Sequence, residues 1–391
     1  MKLPLLIALV WCITSQPLYA EGNGAWLRSG WQPHTGNLAG SVDAFREERE
    51  HWLQSRLKFS GKTERNSDGL DGALGLAAER LIGKSDAIGF NYRDARSYKN
   101  LTDSSAASLR YQVPAGVSRL SIEVGRSRYQ RAVSNENRRY NASGESRVLG
   151  FGASRPLFSR FGLAFDGIAR HRGRRSESFR EDSLVSESSY QLSTLGLEAS
   201  GGRELVGGLF AHTRILALSG REFRATDYTM QDDSEQEREF YKVAMSASLE
   251  RELFQWSWSF KGRYQFADED LPTSEYLKVA GPSMLSGFNG QSLSAVRGGW
   301  LRLDTGSPEW DMPFMDDVLS SVNFSLLQGW VPYSQFQADH YGNASAGQIS
   351  LRMQGRAFTA NVSVGRMIRA SIAGMTVPDH PDLRFSLSMG I

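Results

Sequence analysis

The sequence predicts an all-β protein, a sixteen-stranded antiparallel transmembrane β-barrel with a short N-terminal helix. Three observations carry that expectation. From about residue 55 to the C-terminus, run after run alternates apolar and polar residues, the period-two signature of a strand. The breaks between runs are alternately short and long, as in bacterial outer-membrane barrels. Beyond the first twenty residues, no segment approaches the roughly 20 consecutive apolar residues of a spanning helix. Of 391 residues 40% are hydrophobic and 23% charged, enough for both a lipid-facing belt and a wet lumen. With 45 basic against 43 acidic side chains, binding of nucleic acid through bulk charge is not expected.

Residues 1–20 (MKLPLLIALVWCITSQPLYA) read as a secretory signal peptide. Lys2 supplies the positive start, Leu3 to Ile13 the apolar stretch, and Ala20 a small residue at the cleavage point. The single cysteine, Cys12, lies in that apolar stretch, so cleavage would leave a chain without disulfide or thiol chemistry. Residues 21–54 then precede the barrel, which occupies 55–391. Across that boundary, residues 41–56 form the one convincing helix. Ser41 or Asp43 would cap it, and Phe45, Arg49 and Trp52 lie on a partly apolar stripe among charges. Two placements fit such a helix: packed on the periplasmic rim, or inserted in the lumen as a plug.

Sixteen runs follow, at about 55–63, 70–80, 85–95, 104–113, 117–128, 144–155, 161–172, 187–199, 204–216, 238–251, 255–267, 296–304, 319–330, 347–354, 357–366 and 383–391. Trp256, Trp258 and Phe260 oppose Ser257, Ser259 and Lys261, and Tyr241, Val243 and Met245 oppose Lys242, Ala244 and Ser246. The polar faces are rich in Ser, Gly, Arg, Gln and Glu, which suits a wet lumen behind an aromatic-edged lipid face. An even number of strands lets the sheet close and removes open edges. Short turns are expected at 81–85, 113–116, 155–160, 200–203 and 252–254. Long outer loops are expected at 129–143, 173–186, 217–237, 268–295 and 367–382. The connection 305–318 is longer than its side predicts.

Residues 271–304 carry a recognisable pattern. Leu271-Pro272, Ala280-Gly281, the tip Leu285-Ser286-Gly287-Phe288, and Arg297-Gly298 are spaced like the sixth extracellular loop of the two-partner secretion transporters. These are the haemolysin-secretion/activation (ShlB/FhaC/HecB) type, in the outer-membrane assembly (BamA-like) superfamily. LIGKSDAIGFNYRDARS (81–97), LRYQVPAGVSRLSIEVGRSRYQR (109–131) and the final hairpin resemble other family segments in the same order. The resemblance implies a sixteen-stranded outer-membrane barrel whose sixth loop folds inward and which exports a partner polypeptide without ATP. A non-secretory barrel, acting as a solute pore or a structural subunit of an envelope assembly, is the alternative.

Three departures qualify the resemblance. The arginine of the family's loop tip is replaced by Ser286. Leu327 stands at the wall position facing the tip, where the family's pairing aspartate is expected. Losing both partners together is self-consistent, because either charge alone in the wall would be costly. The family also carries two periplasmic capture (POTRA) domains, which bind cargo at a sheet edge. With only residues 21–54 ahead of the barrel, these domains are expected to be absent.

No catalytic, cofactor or metal site is expected. Six scattered histidines show no metal-ligand spacing, Asp339-His340 has no nucleophile beside it, and the GKS at 83–85 lacks the upstream glycine of a phosphate loop. The basic run containing Arg170, Arg172, Arg174 and Arg175 falls at a predicted outer rim, as a candidate lipopolysaccharide contact or a solvated loop. Its expected counterpart is the acidic stretch 232–239. The expected partners are outer-membrane lipid, lipopolysaccharide and an exported polypeptide, with the barrel as a monomer.

Overall fold

A computed structural model describes residues 57–389 apart from 67–68, 80–85, 98–101, 136–137, 182, 229–230, 313–316, 335–340, 357 and 373–374. The predicted signal peptide, the helix at 41–56 with Phe45, Arg49 and Trp52, and Asp339-His340 lie outside the described residues. Among the described residues the only helical element is a three-residue 3-10 turn, Thr273–Glu275.

The alternating runs become strands. The first five are β1 (Leu57–Asn66), β2 (Gly69–Glu79), β3 (Ala87–Ser97), β4 (Thr102–Ala115) and β5 (Ser118–Asn135). The next six are β6 (Arg138–Arg160), β7 (Leu163–Arg180), β8 (Ser183–Leu205), β9 (Leu209–Tyr228), β10 (Gln231–Leu253) and β11 (Trp256–Ala267). After a long loop come β14 (Gly298–Gly306), β16 (Leu319–Val331), β17 (Gly342–Gln354), β18 (Phe358–Ala370) and β19 (Asp382–Met389). Two short strands in that loop, β12 (Leu277–Ala280) and β13 (Leu293–Ala295), form a separate ribbon. Each of the sixteen barrel strands pairs antiparallel with the next, and β1 pairs with β19 from Gly61↔Met389 to Arg65↔Phe385. The sheet closes. All sixteen predicted runs map one-to-one onto these strands.

Which face meets lipid follows from burial. Paired residues share a face, and Leu76, Phe90, Leu109, Val124 and Leu149 form one continuous row across β2–β6. These apolar side chains are exposed, Leu149 at 47%, whereas Glu198 (4%), Glu222 (3%) and Lys242 (7%) on the opposite face are buried. A chain folded for water does the reverse. The exposed apolar rows are a belt for hydrocarbon, and the polar face lines the lumen. Met245 sits mid-belt between Val243 and Ala247 on β10. Met245→Arg is therefore expected to cost about 2–4 kcal/mol, measured by denaturant titration in liposomes, while Ser246→Arg on the lumen face costs much less.

Two groups of connections differ from expectation. Residues 129–143, 173–186 and 217–237, expected as loops, are largely strand, because β5–β10 run on to 18–23 residues each. Roughly 9–11 residues suffice to cross the hydrocarbon. Past it both faces meet water, so the apolar alternation stops while the backbone ladder continues. The expected turns at 155–160 and 200–203 also lie within strands. The chain reverses instead at Phe161-Gly162, with φ of 56° and 77°, and at Val206–Gly208. Pro156 marks a register shift in the β6–β7 ladder, where its missing N–H is tolerated. The long connection 305–318 carries β15 (Trp310–Asp311), which pairs with β16 at Trp310↔Ser320.

Candidate functional site: a loop folded onto the lumen wall

The segment between β11 and β14 folds onto the lumen face of the barrel. Its ascending limb is tied at the start: the Tyr241 N–H donates to the Asp268 carboxylate at 2.9 Å. Burial pushes the Asp268 carboxyl above its ordinary range, and Asp270 beside it adds to the shift. Leu271 is buried, and the 3-10 turn places Glu275 against the Lys242 ammonium of β10, a close ion pair with Lys242 only 7% exposed. Gln265 donates to the carbonyls of Glu275 and Val296 at 3.3 and 3.0 Å, joining both limbs to the wall. The β12–β13 ribbon then turns at 281–292.

The tip is the most enclosed part of the loop. Ser286 and Phe288 are fully buried, and Leu285 is 2% exposed. The Ser286 N–H donates to Gln348 Oε1 at 2.8 Å, and its hydroxyl donates to the same oxygen. The Gly287 N–H donates to Asp382 at 3.3 Å, while its carbonyl accepts from the Met367 N–H at 3.1 Å. Gly287 takes φ +110°, and a Cβ there would stand 2.5 Å from the Arg366 nitrogen. On the wall, a Cβ at Gly365 would stand 2.2 Å from the Ser286 carbonyl oxygen. Two glycines thus let backbone meet backbone. Further down, Asn289 donates to the His380 carbonyl at 3.0 Å, and Gln291 exchanges two hydrogen bonds with Thr376.

Leu327 is 2% exposed and lies in one apolar cluster with Leu285, Phe288, Val279, Ala346 and Met367. The position expected to carry an aspartate is thus apolar packing under the loop. The tip's polar bonds go instead to β17, β18 and β19. Gln348, Ser363 and Asp382 were not singled out from the sequence. Their inward direction was readable, since Ile349, Val364 and Leu383 beside them are exposed apolar residues. What alternation cannot show is which of the inward groups the tip meets. Removing the shared acceptor by Gln348→Leu leaves the buried Ser286 N–H unpaired and its hydroxyl with only the 3.5 Å contact to Ser363. The expected loss is about 1–3 kcal/mol of loop docking, read as a rise in open-channel frequency in planar bilayers.

The basic run at 170–175 divides between the two faces. Arg172 lies 3.6 Å from the inward Glu123, and Arg174 donates to the inward Ser146. Arg170 shares their face, opposite Gly152 and Thr194. These three point into the lumen, away from lipid. Arg175 points outward. A strand, unlike the expected loop, sends successive residues to opposite faces. Among the described residues, no group of three or more His, Cys, Asp or Glu side chains is placed to hold a metal.

Residues 41–348 match the family described as haemolysin secretion/activation protein ShlB/FhaC/HecB. The chain belongs to this family. The curated outer membrane transporter CdiB of Escherichia coli is 24% identical over 272 residues, covering 67% of this chain and 44% of that protein. The chain therefore spans less than half the length of that relative. Among solved structures, CdiB from Acinetobacter baumannii superposes with a TM-score of 0.68 at 14% identity, over 86% of this chain and 60% of that one. CdiB from Escherichia coli gives 0.68 at 17%, over 86% and 63%. These likenesses show the barrel fold, and the family places the protein in the outer membrane. In this family member the loop is seated by hydrogen bonds from its tip to Gln348 and Asp382, by donation from Arg302 and Arg384 to the Met284 and Pro282 carbonyls, by two glycine contacts and by an apolar cluster.

Proposed function

We propose that this barrel exports a partner polypeptide across the outer membrane, with the folded-in loop as its gate. The observation that carries the reading is the seat of the tip. The loop is held on the lumen wall by hydrogen bonds, a buried ion pair, an apolar cluster and close backbone contacts, all of which form and break without covalent change. The rest of the lumen wall supports it. Glu123 is paired with Arg110 at 2.7 Å and Glu222 with Arg224 at 2.8 Å, so these two wall carboxylates are neutralised in place. Such a wall offers hydrogen bonds to an extended chain. The barrel closes within a single chain and works as a monomer, as a conduit rather than an enzyme, with outer-membrane lipid around its belt.

The test is chromosomal deletion followed by proteomics of medium and cell surface. At least one large polypeptide is expected to disappear from both and to return on complementation. If the extracellular and surface proteomes are unchanged, the export reading is wrong.

A further inference from the structure

The outward faces of β5, β6 and β7 carry an arrangement that export does not use. Arg126, Arg147 and Arg175 are direct cross-strand neighbours, one row running around the outside of the barrel. The row one dyad nearer the periplasm is Val124, Leu149 and Gly173, the upper margin of the apolar belt. From the start of β5 at Ser118 to Arg126 is nine residues, about the length that crosses the hydrocarbon. The arginines thus stand at the outer boundary of the membrane.

Like charges directly opposite one another on a sheet destabilise it unless something compensates. The compensation inside the protein is incomplete. Glu145 accepts from Arg126 at 2.7 Å, Arg128 at 3.0 Å and Arg147 at 2.7 Å, so one carboxylate serves three guanidinium groups. Arg175 pairs with Glu187 at 2.7 Å and with Glu177 at 3.7 Å. Each guanidinium has five N–H donors. The side chains of Arg126, Arg147 and Arg175 remain 49%, 63% and 60% exposed. Arg126, Arg128, Arg147 and Arg175 thus share Glu145, Glu177 and Glu187, which leaves one positive charge in excess among the described residues of this cluster, at the depth of lipid headgroups.

We propose that Arg126, Arg147 and Arg175 form a binding site for the phosphate groups of an outer-leaflet glycolipid. The planar guanidinium fork matches phosphate geometry, and the leucine and valine below meet the acyl chains. The site replaces Arg170, Arg172 and Arg174, whose lumen position denies them lipid. It does not depend on the export reading.

The purified full-length protein in detergent is titrated with bisphosphorylated lipid A, dephosphorylated lipid A, phosphatidylglycerol and inorganic phosphate. Bisphosphorylated lipid A is expected to bind about tenfold or more tightly than its dephosphorylated form. Phosphatidylglycerol should bind weakly, and inorganic phosphate should not displace lipid A. The triple variant Arg126→Gln/Arg147→Gln/Arg175→Gln is expected to lose that preference, whereas Arg170→Gln/Arg172→Gln/Arg174→Gln keeps it. Should the triple variant not fold, the single change Arg147→Gln and the wild-type lipid comparison still decide. Equal binding of the two lipid A forms, equal binding of phosphatidylglycerol, or displacement by inorganic phosphate overturns the site. So does an equal loss in the lumen variant.

Discussion

Gly287→Val is expected to unseat the loop from the lumen wall and to raise the conductance of the pore. Two independent costs fall on that one position. The backbone stands at φ +110°, where an L side chain is strained by about 1–3 kcal/mol. The new Cβ would also sit 2.5 Å from the nitrogen and 2.8 Å from the carbonyl carbon of Arg366. Both are backbone atoms of β18, where Arg366 is paired with Gly347 of β17 and the preceding Gly365 with Asp382 of β19, so the wall cannot give way. Together these exceed what two or three hydrogen bonds at the tip return. Gly365→Ala should act in the same direction from the wall side, because its Cβ would meet the Ser286 carbonyl at 2.2 Å. Planar-bilayer recordings of both variants check the pair. Wild-type conductance in both would show that the tip does not occupy the lumen as described.

Lys242→Ala is expected to release the other end of the loop. Lys242 is almost wholly buried and its ammonium pairs with Glu275, itself 22% exposed. Breaking a buried ion pair by removing one partner costs about 3–5 kcal/mol, and the exposure of Glu275 places this pair toward the lower figure. The readout is accessibility of the ascending limb to protease in intact cells, together with thermal stability. A Lys242→Glu/Glu275→Lys exchange should recover much of the loss, because the pair is restored in reverse. Protection equal to wild type in the single variant would assign the limb's position to Leu271 and the apolar contacts alone.

The barrel was legible in the sequence because its physics is repetitive. Trp256, Trp258 and Phe260 alternate with Ser257, Ser259 and Lys261 since one face meets lipid and the other the lumen. Strand ends were read less well for the same reason. Period two reports a contrast between two environments, and above the membrane on β5–β10 that contrast vanishes. Residues 176–180 continue β7 with water on both sides, so their sequence looks like a loop. The two turns were obscured by Pro156 and by Gly201-Gly202. There proline sits at a bulge, and a Cβ on Gly201 would meet the Gly162 carbonyl at 2.4 Å.

The site was half legible. The tip Leu285–Phe288 was marked by its pattern, and Leu327 by its place opposite. The acceptors that hold the tip were not, because Gln348 and Asp382 lie 62 and 95 residues away from it in the chain. Only the closed register of β16 to β19 brings them together. The arginine row on the outside was hidden too. Arg126, Arg147 and Arg175 are far apart in sequence and adjacent only across strands, whereas the conspicuous run at 170–175 is split between two faces.

If the loop seated on the lumen wall gates the passage of a polypeptide, a reversible lock on that loop will stop export. The Ser286 and Ser363 hydroxyl oxygens lie 3.5 Å apart, close enough for a cysteine pair to reach disulfide distance with small rotations. The sequence contains one cysteine, Cys12, within the predicted signal peptide, so little competes for the bond. Cells carrying Ser286→Cys/Ser363→Cys are assayed for the polypeptide lost in the deletion strain, under oxidising conditions and after reductant. Export should fall to the deletion background when the disulfide forms and return when it is reduced, with each single variant exporting normally. Undiminished export with the disulfide fully formed would contradict the gate.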